Sequence, residues 1–135
     1  IYEAKPLGAK AVLLIAAILS AGQIEEYLGI CDELGISAIV ECHDEREVLT
    51  AVGAGAKIIG VNNRNLHDFS VDNSNSIRLR DMVPSDCIFV SESGIKPPED
   101  VAAVRHAGAD AVLIGETVMR AADKAAALDK LRSLV

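Results

Sequence analysis

Eight residues of this chain have types that could do chemistry: Glu41, Asn62, Arg64, Glu92, Ser93, Gly94, Gly115 and Glu116. Each stands at or just past the end of an apolar run. A carboxylate such as Glu41 serves general acid/base catalysis when it meets a reacting group, and otherwise pairs with a basic residue. Asn62 can hold a hydroxyl or a carboxylate, or cap the backbone of its own loop. The Arg64 guanidinium suits a planar carboxylate held bidentately, or else makes a surface ion pair. Glu92 reads as an orienting partner for a cation elsewhere on the same rim. Ser93-Gly94-Ile95 and Gly115-Glu116-Thr117 place a glycine after each of two apolar runs, where backbone amides can approach an anion closely. The bland reading is that both glycines make tight turns. His43, His67 and His106 lack metal-ligand spacing, so no metal is expected.

The elements that must position these residues recur along the chain. Gly8, Gly35, Gly55 and Gly108 each follow a helix-like segment and precede a polar step and an apolar run. A glycine just past a helix reaches the left-handed backbone that ends it. An apolar run without alternation fits a strand of a parallel sheet, buried on both faces. The interval from Gly55 to Gly108 suits two units, and Cys87–Glu92 supplies the missing strand. Five strand-then-helix units define an α/β protein.

In order, the pattern predicts a helix tail over Ile1–Leu7 and strands at Ala11–Ile15, Ala38–Cys42, Lys57–Val61, Ile88–Val90 and Ala111–Ile114. It predicts helices at Gln23–Leu34, Glu45–Ala54, near Asn75–Met82, from Pro97 to about His106, and at Ala121–Leu134. Ile24, Leu28, Cys31 and Leu34 form the buried face of the first full helix. Val48, Leu49 and Val52 form that of the next, and Ala127, Leu128, Leu131 and Leu134 that of the last. Asp44 and Glu47 have the spacing of a helix-capping pair. In parallel α/β folds ligands bind beyond the carboxyl ends of the strands, which is where the eight polar residues fall. A phosphate site after the last two strands is typical of (β/α)8 barrels.

The chain of 135 residues is one domain's worth and half apolar, yet it has no Trp, two Tyr and two Phe, so its core is aliphatic. A net charge of −7 and a pI near 4.9 argue against a broad nucleic-acid or acidic-membrane surface. Cys31, Cys42 and Cys87 are odd in number and widely spaced, as expected of reduced cytoplasmic thiols. The apolar stretch 11–21 is too short to span a bilayer.

Taken together, Ile39-Val40-Glu41-Cys42-His43-Asp44-Glu45, Ile59-Gly60-Val61-Asn62-Asn63-Arg64-Asn65-Leu66, Val90-Ser91-Glu92-Ser93-Gly94-Ile95 and Leu113-Ile114-Gly115-Glu116-Thr117-Val118-Met119-Arg120 resemble indole-3-glycerol-phosphate synthase. The opening Ile1–Lys5 and Val12–Leu19 are similar to its middle region. The resemblance implies a (β/α)8 barrel of tryptophan biosynthesis, a carbon–carbon lyase that works in the cytoplasm without a cofactor. Its substrate would be the anionic sugar phosphate 1-(2-carboxyphenylamino)-1-deoxyribulose 5-phosphate, closed and decarboxylated to indole-3-glycerol phosphate.

By position, Glu41 and Asn62 would be catalytic, with Arg64, Glu92 and Ser93 binding substrate. Ser93, Gly94, Gly115 and Glu116 would bind phosphate, the last through its amide alone because some relatives have Ser there. Residues 1–135 would be a single partial barrel, strands four to eight. The family's Glu and Lys on the first strand and Lys on the third have no counterpart here. The chain alone is therefore expected to bind phosphate weakly, to turn over nothing, and to self-associate or need a front half. Two other readings stand beside this one: a different phosphate-binding barrel such as a sugar-phosphate isomerase, and a non-catalytic half-barrel assembly module.

Overall fold

A computed structural model describes residues 1–66 and 68–134; His67, one of the three histidines weighed as a ligand, and Val135 lie outside them. Five strands form one parallel sheet in the order β1-β2-β3-β4-β5, from β1 (Ala11–Ile15), β2 (Ser37–Cys42), β3 (Ile58–Asn62), β4 (Ile88–Glu92) to β5 (Ala111–Leu113). The connections carry α1 (Ala21–Leu34), α2 (Glu45–Gly53), α3 (Ser74–Leu79) and α4 (Pro98–His106). Beyond β5 come α5 (Glu116–Arg120) and α6 (Lys124–Leu131).

Register explains why the rim is polar. Glu41 stands opposite Gly60, and Asn62 opposite Glu92, so their side chains share one face of the sheet. The other face carries Leu14, Val40, Cys42, Ile59, Val61 and Phe89 under the helices, and this is the main core. The expectation of strands buried on both faces holds only in part. On the inner face Leu13, Ile88 and Leu113 are exposed, although Val90, Glu41 and Glu92 beside them are buried.

Several boundaries differ from the sequence reading, each for a local reason. Residues 2–8 form turns rather than a helix tail, with Ala4 N–H donating to Ile1 O and Gly8 N–H to Lys5 O. Helix α1 starts two residues early because Ser20 accepts from Gln23 N–H while the Gln23 side chain returns to the Ser20 amide, a capping box. The Asp44–Glu47 pair works as half of one. Asp44 accepts from Glu47 N–H at 2.8 Å, but the Glu47 carboxylate takes the His43 amide, one residue before the cap.

In α2, Val48 and Ala51 are buried and Leu49 points outward. Strands β3 and β4 run further than expected and take in Asn62 and Glu92. The closing helix is two: Gly115 opens α5, the chain turns extended at Ala121, and Asp123 caps α6 through Ala126 N–H. Of the four residues expected on its apolar face only Leu131 is buried, while Leu128 and Leu134 are exposed.

Candidate functional site: the carboxyl rim of the sheet

A buried pair of carboxyl groups lies at the centre of the rim. Glu41 and Glu92 are 6% and 3% exposed, on β2 and β4, with β3 between them. They meet because the intervening residue is Gly60. A Cβ there would collide with Glu92 Oε1 and stand 2.9 Å from its Cδ and 3.2 Å from Ile39 Cγ2. Burial first, then the hydrogen bond to Glu41 and its charge, push the Glu92 carboxyl up to about 8. Among the described residues the neighbour of Glu92 is therefore a carboxyl and not the expected cation. Two like charges so close and so dry do not both ionise readily, which favours the protonated form of Glu92.

On its other side Glu41 lies 3.5 Å from His43 Nε2, so it also has the basic neighbour allowed for it. His43 is steadied by Glu47, whose Oε2 is 3.3 Å from Nδ1 and 2.8 Å from the backbone nitrogen. Cys42 points to the opposite face, where burial and then the charges of Glu47, Glu41, Glu92 and Asp44 push its thiol up to about 12.

The β3–α3 loop folds into a small hairpin closed by the Arg64–Val71 bridge. Asn62 and Arg64 enter it with the second of their two alternatives engaged, a loop cap and an ion pair. Asn62 Oδ1 accepts from Arg64 N–H at 3.0 Å, which caps the loop. The Arg64 guanidinium is held by Glu116, 2.7 Å away, and donates to Phe69 O at 3.4 Å. Glu116 also meets Arg120 at 3.1 Å, so its carboxylate anchors the hairpin to α5.

Two hollows flank the hairpin. One, of about 500 Å³, is lined by His43, Asp44, Glu47, Asn62, Arg64 and Asn75 among others. The second, of about 570 Å³, brings together Arg64, Ser93, Gly94, Lys96, Gly115 and Glu116. All the residues expected to hold an anion therefore share one hollow with Arg64. Ser93 and Gly94 have φ of 63° and 80°, two left-handed residues in succession. A non-glycine residue held there marks a loop whose shape is imposed by its surroundings.

The Ser93 amide is already donated to Leu113 O at 3.3 Å, which leaves its hydroxyl to the hollow. Among the described residues no atom lies within 4 Å of where a Gly115 Cβ would stand, so none of them demands a glycine there. Lys96 was missed in the sequence, where a single lysine after Gly94-Ile95 has no distinguishing context. Among the described residues no group of three or more His, Cys, Asp or Glu is placed to hold a metal ion, and no helix is long and apolar enough to cross a membrane.

A parallel βα sheet whose strands lie in sequential order without a reversal, with its polar groups on the carboxyl rim, fits the (β/α)8-barrel class rather than a doubly wound sheet, and these five units make a partial barrel. Solved structures agree on the fold. The chain superposes on thiamine phosphate pyrophosphorylase from Pyrococcus furiosus with a TM-score of 0.77 at 22% identity, covering 97% of this chain and 61% of that one. With 3-hexulose-6-phosphate synthase from Salmonella typhimurium the TM-score is 0.78 at 22% identity, over 96% and 64%.

The family follows from sequence: the indole-3-glycerol phosphate synthase model matches residues 1–131. The indole-3-glycerol phosphate synthase of Ruminiclostridium cellulolyticum is 58% identical over 98% of this chain and 51% of its own length. That of Leuconostoc mesenteroides is 56% identical over 98% and 50%. The chain belongs to the indole-3-glycerol phosphate synthase family. It spans about half the length of the curated relatives it matches, and the match lies in their C-terminal half.

Proposed function

We propose that this chain supplies the rear rim of an indole-3-glycerol phosphate synthase, acting in the cytoplasm on 1-(2-carboxyphenylamino)-1-deoxyribulose 5-phosphate. The Glu41–Glu92 pair carries this reading. Ring closure joins the aromatic carbon bearing the carboxylate to the ketose carbonyl carbon, and carbon dioxide leaves from the former. The carbonyl oxygen gains two protons and departs as water, while the adjoining methylene gives one up. The reaction therefore needs a proton donor and a proton acceptor on one patch. A protonated Glu92 hydrogen-bonded to Glu41 offers both, at a pH where a free carboxyl has lost its proton.

Asn62 stands opposite Glu92 on the neighbouring strand, and Arg64 lines both hollows. Arg64 takes the aromatic carboxylate once it leaves Glu116, and Asn62 holds a substrate oxygen through its Nδ2. The hollow of Ser93, Gly94, Lys96, Gly115 and the Glu116 amide takes the phosphate. No cofactor enters these steps. By this reading the rest of the barrel completes the site and covers the exposed Leu13, Ile88 and Leu113, and this chain alone turns over nothing. Those same three residues favour the second reading, a half-barrel that pairs with its own copy.

Fluorescence of the indole product, measured on this chain with and without the N-terminal half of the R. cellulolyticum relative, tests the proposal. Activity only in the mixture, lost on Asn62→Ala, supports it. Activity from this chain alone contradicts the need for a front half. A folded mixture that stays silent refutes the catalytic assignment, and a discrete homodimer in sedimentation then favours the assembly reading.

A further inference from the structure

Two asparagines outside the assigned site hold successive carbonyls of the anion hollow. Asn63, at the base of the hairpin, donates from Nδ2 to Ser93 O at 3.2 Å and to Ser91 Oγ at 3.2 Å. Its Oδ1 accepts from Ser76 N–H at 2.9 Å, and Ser76 Oγ meets Ser91 Oγ at 2.9 Å. Asn63, Ser76 and Ser91 are all buried, so a four-bond network ties β3, α3 and β4 together under the loop. Asn73, just ahead of α3, donates from Nδ2 to Gly94 O at 3.1 Å.

The fit around Gly94 is tight. A Cβ on Gly94 would run into Asn73 Oδ1 and come within 2.6 Å of Val71 Cγ1. Asn73 Oδ1 is itself buried with no partner among the described residues. An unpaired buried oxygen costs about 1–3 kcal/mol, which argues that the side chain is there for its other end. Left-handed backbone at Ser93 is unfavourable without such restraints.

We propose that Asn63 and Asn73 are positioning residues for anion binding: by holding Ser93 O and Gly94 O they impose the left-handed Ser93-Gly94 turn that walls the hollow, and with it the affinity for a phosphate monoester. The ligand class rests on the proposed function; the clamp on the turn does not. It is a device of the β3–α3 connection acting on the β4–α4 loop, so neither asparagine need touch the ligand.

The test uses the ¹⁵N,¹³C-labelled chain, titrated with inorganic phosphate, as wild type and as Asn63→Asp and Asn73→Ala. The aspartate keeps the acceptor for Ser76 N–H but turns the donor into an acceptor and adds a negative charge, so Asn73→Ala supplies the charge-neutral comparison. Expected are phosphate-dependent shifts of the Gly94 and Gly115 amides in the wild type, and roughly tenfold weaker binding in each variant. The Ser93 ¹³Cα and ¹³Cβ shifts should move away from their left-handed values in both.

Asp44→Ala, which uncaps a helix away from the hollow, lowers stability without changing either readout if the two asparagines are more than structural. Variants that fold, bind phosphate like the wild type and keep the Ser93 shifts overturn the proposal. Should Asn63→Asp not fold, the part-buried Asn73 decides by itself. If phosphate leaves the wild-type amides unmoved, the phosphate reading fails, and the Ser93 shifts alone judge the clamp.

Discussion

Replacing Gly60 with alanine is expected to separate the Glu41–Glu92 pair while leaving the sheet folded. The new Cβ meets the end of the Glu92 side chain, a group that can rotate, and stands 3.2 Å from Ile39 Cγ2. Glycine to alanine in a strand otherwise stabilises by about 0.4–1 kcal/mol, so the net effect at a pH where Glu92 matters little should be small. The informative quantity is the pH dependence.

In the wild type the Glu92 carboxyl is raised from 4.5 to about 8. A raised folded value means that its contribution to stability is fully present below the unfolded value and is lost as pH climbs through about 8. At about 1.4 kcal/mol per unit, the fall between pH 5 and 8 is on the order of a few kcal/mol. In Gly60→Ala the displaced carboxyl moves back toward the ordinary range and that slope should flatten. Urea unfolding from pH 5 to 9 should therefore show the two curves close together at pH 5 and separating as pH rises, with the variant the more stable above pH 8. Carboxyl ¹³C titration would follow Glu92 directly. Parallel stability curves, or an unmoved Glu92 titration, would refute the idea that Gly60 exists to let the carboxyls meet.

Asp44→Ala removes the N-cap of α2 and should cost about 1 kcal/mol in urea unfolding; a loss under 0.3 would mean that Glu47 and His43 hold the helix start unaided. Glu116→Gln should cost well under 1 kcal/mol, because both partners of the Arg64 bridge are part exposed. It should also tighten phosphate binding in the hollow by withdrawing a negative charge, and weaker binding in the titration would count against an anion site there. Cys42, buried with its thiol pushed up to about 12, should resist iodoacetamide at pH 8 until urea unfolds the chain, as mass spectrometry of the labelled peptides would reveal.

The five strands, their parallel order and the polar rim were legible in the residues, because a glycine followed by an apolar run and a polar loop is a local pattern that recurs from Gly8, Gly35, Gly55 and Gly108, with Cys87–Glu92 filling the one long interval. So was the gathering of Ser93-Gly94 and Gly115-Glu116 around one hollow, since they close adjacent strands and adjacency follows from the βα repeat. Helix ends were less legible. Ser20 and Asp123 cap helices whose apolar periodicity is weak, and Leu49, Leu128 and Leu134 are apolar residues that no neighbouring element covers.

The pairing of side chains across strands was decided by tertiary structure alone. Glu92 faces Glu41 rather than a cation because the register sets Gly60 between them, and the resulting desolvation gives Glu92 its proton. Arg64 meets Glu116, and Asn63 and Asn73 reach Ser93 and Gly94, across separations of 52, 30 and 21 residues. Spacing along a chain carries no record of such contacts, since they depend on how each strand slides against the next. The sequence by itself determined which groups come to the rim. Only the packed sheet determined which of them touch, and therefore which can exchange a proton.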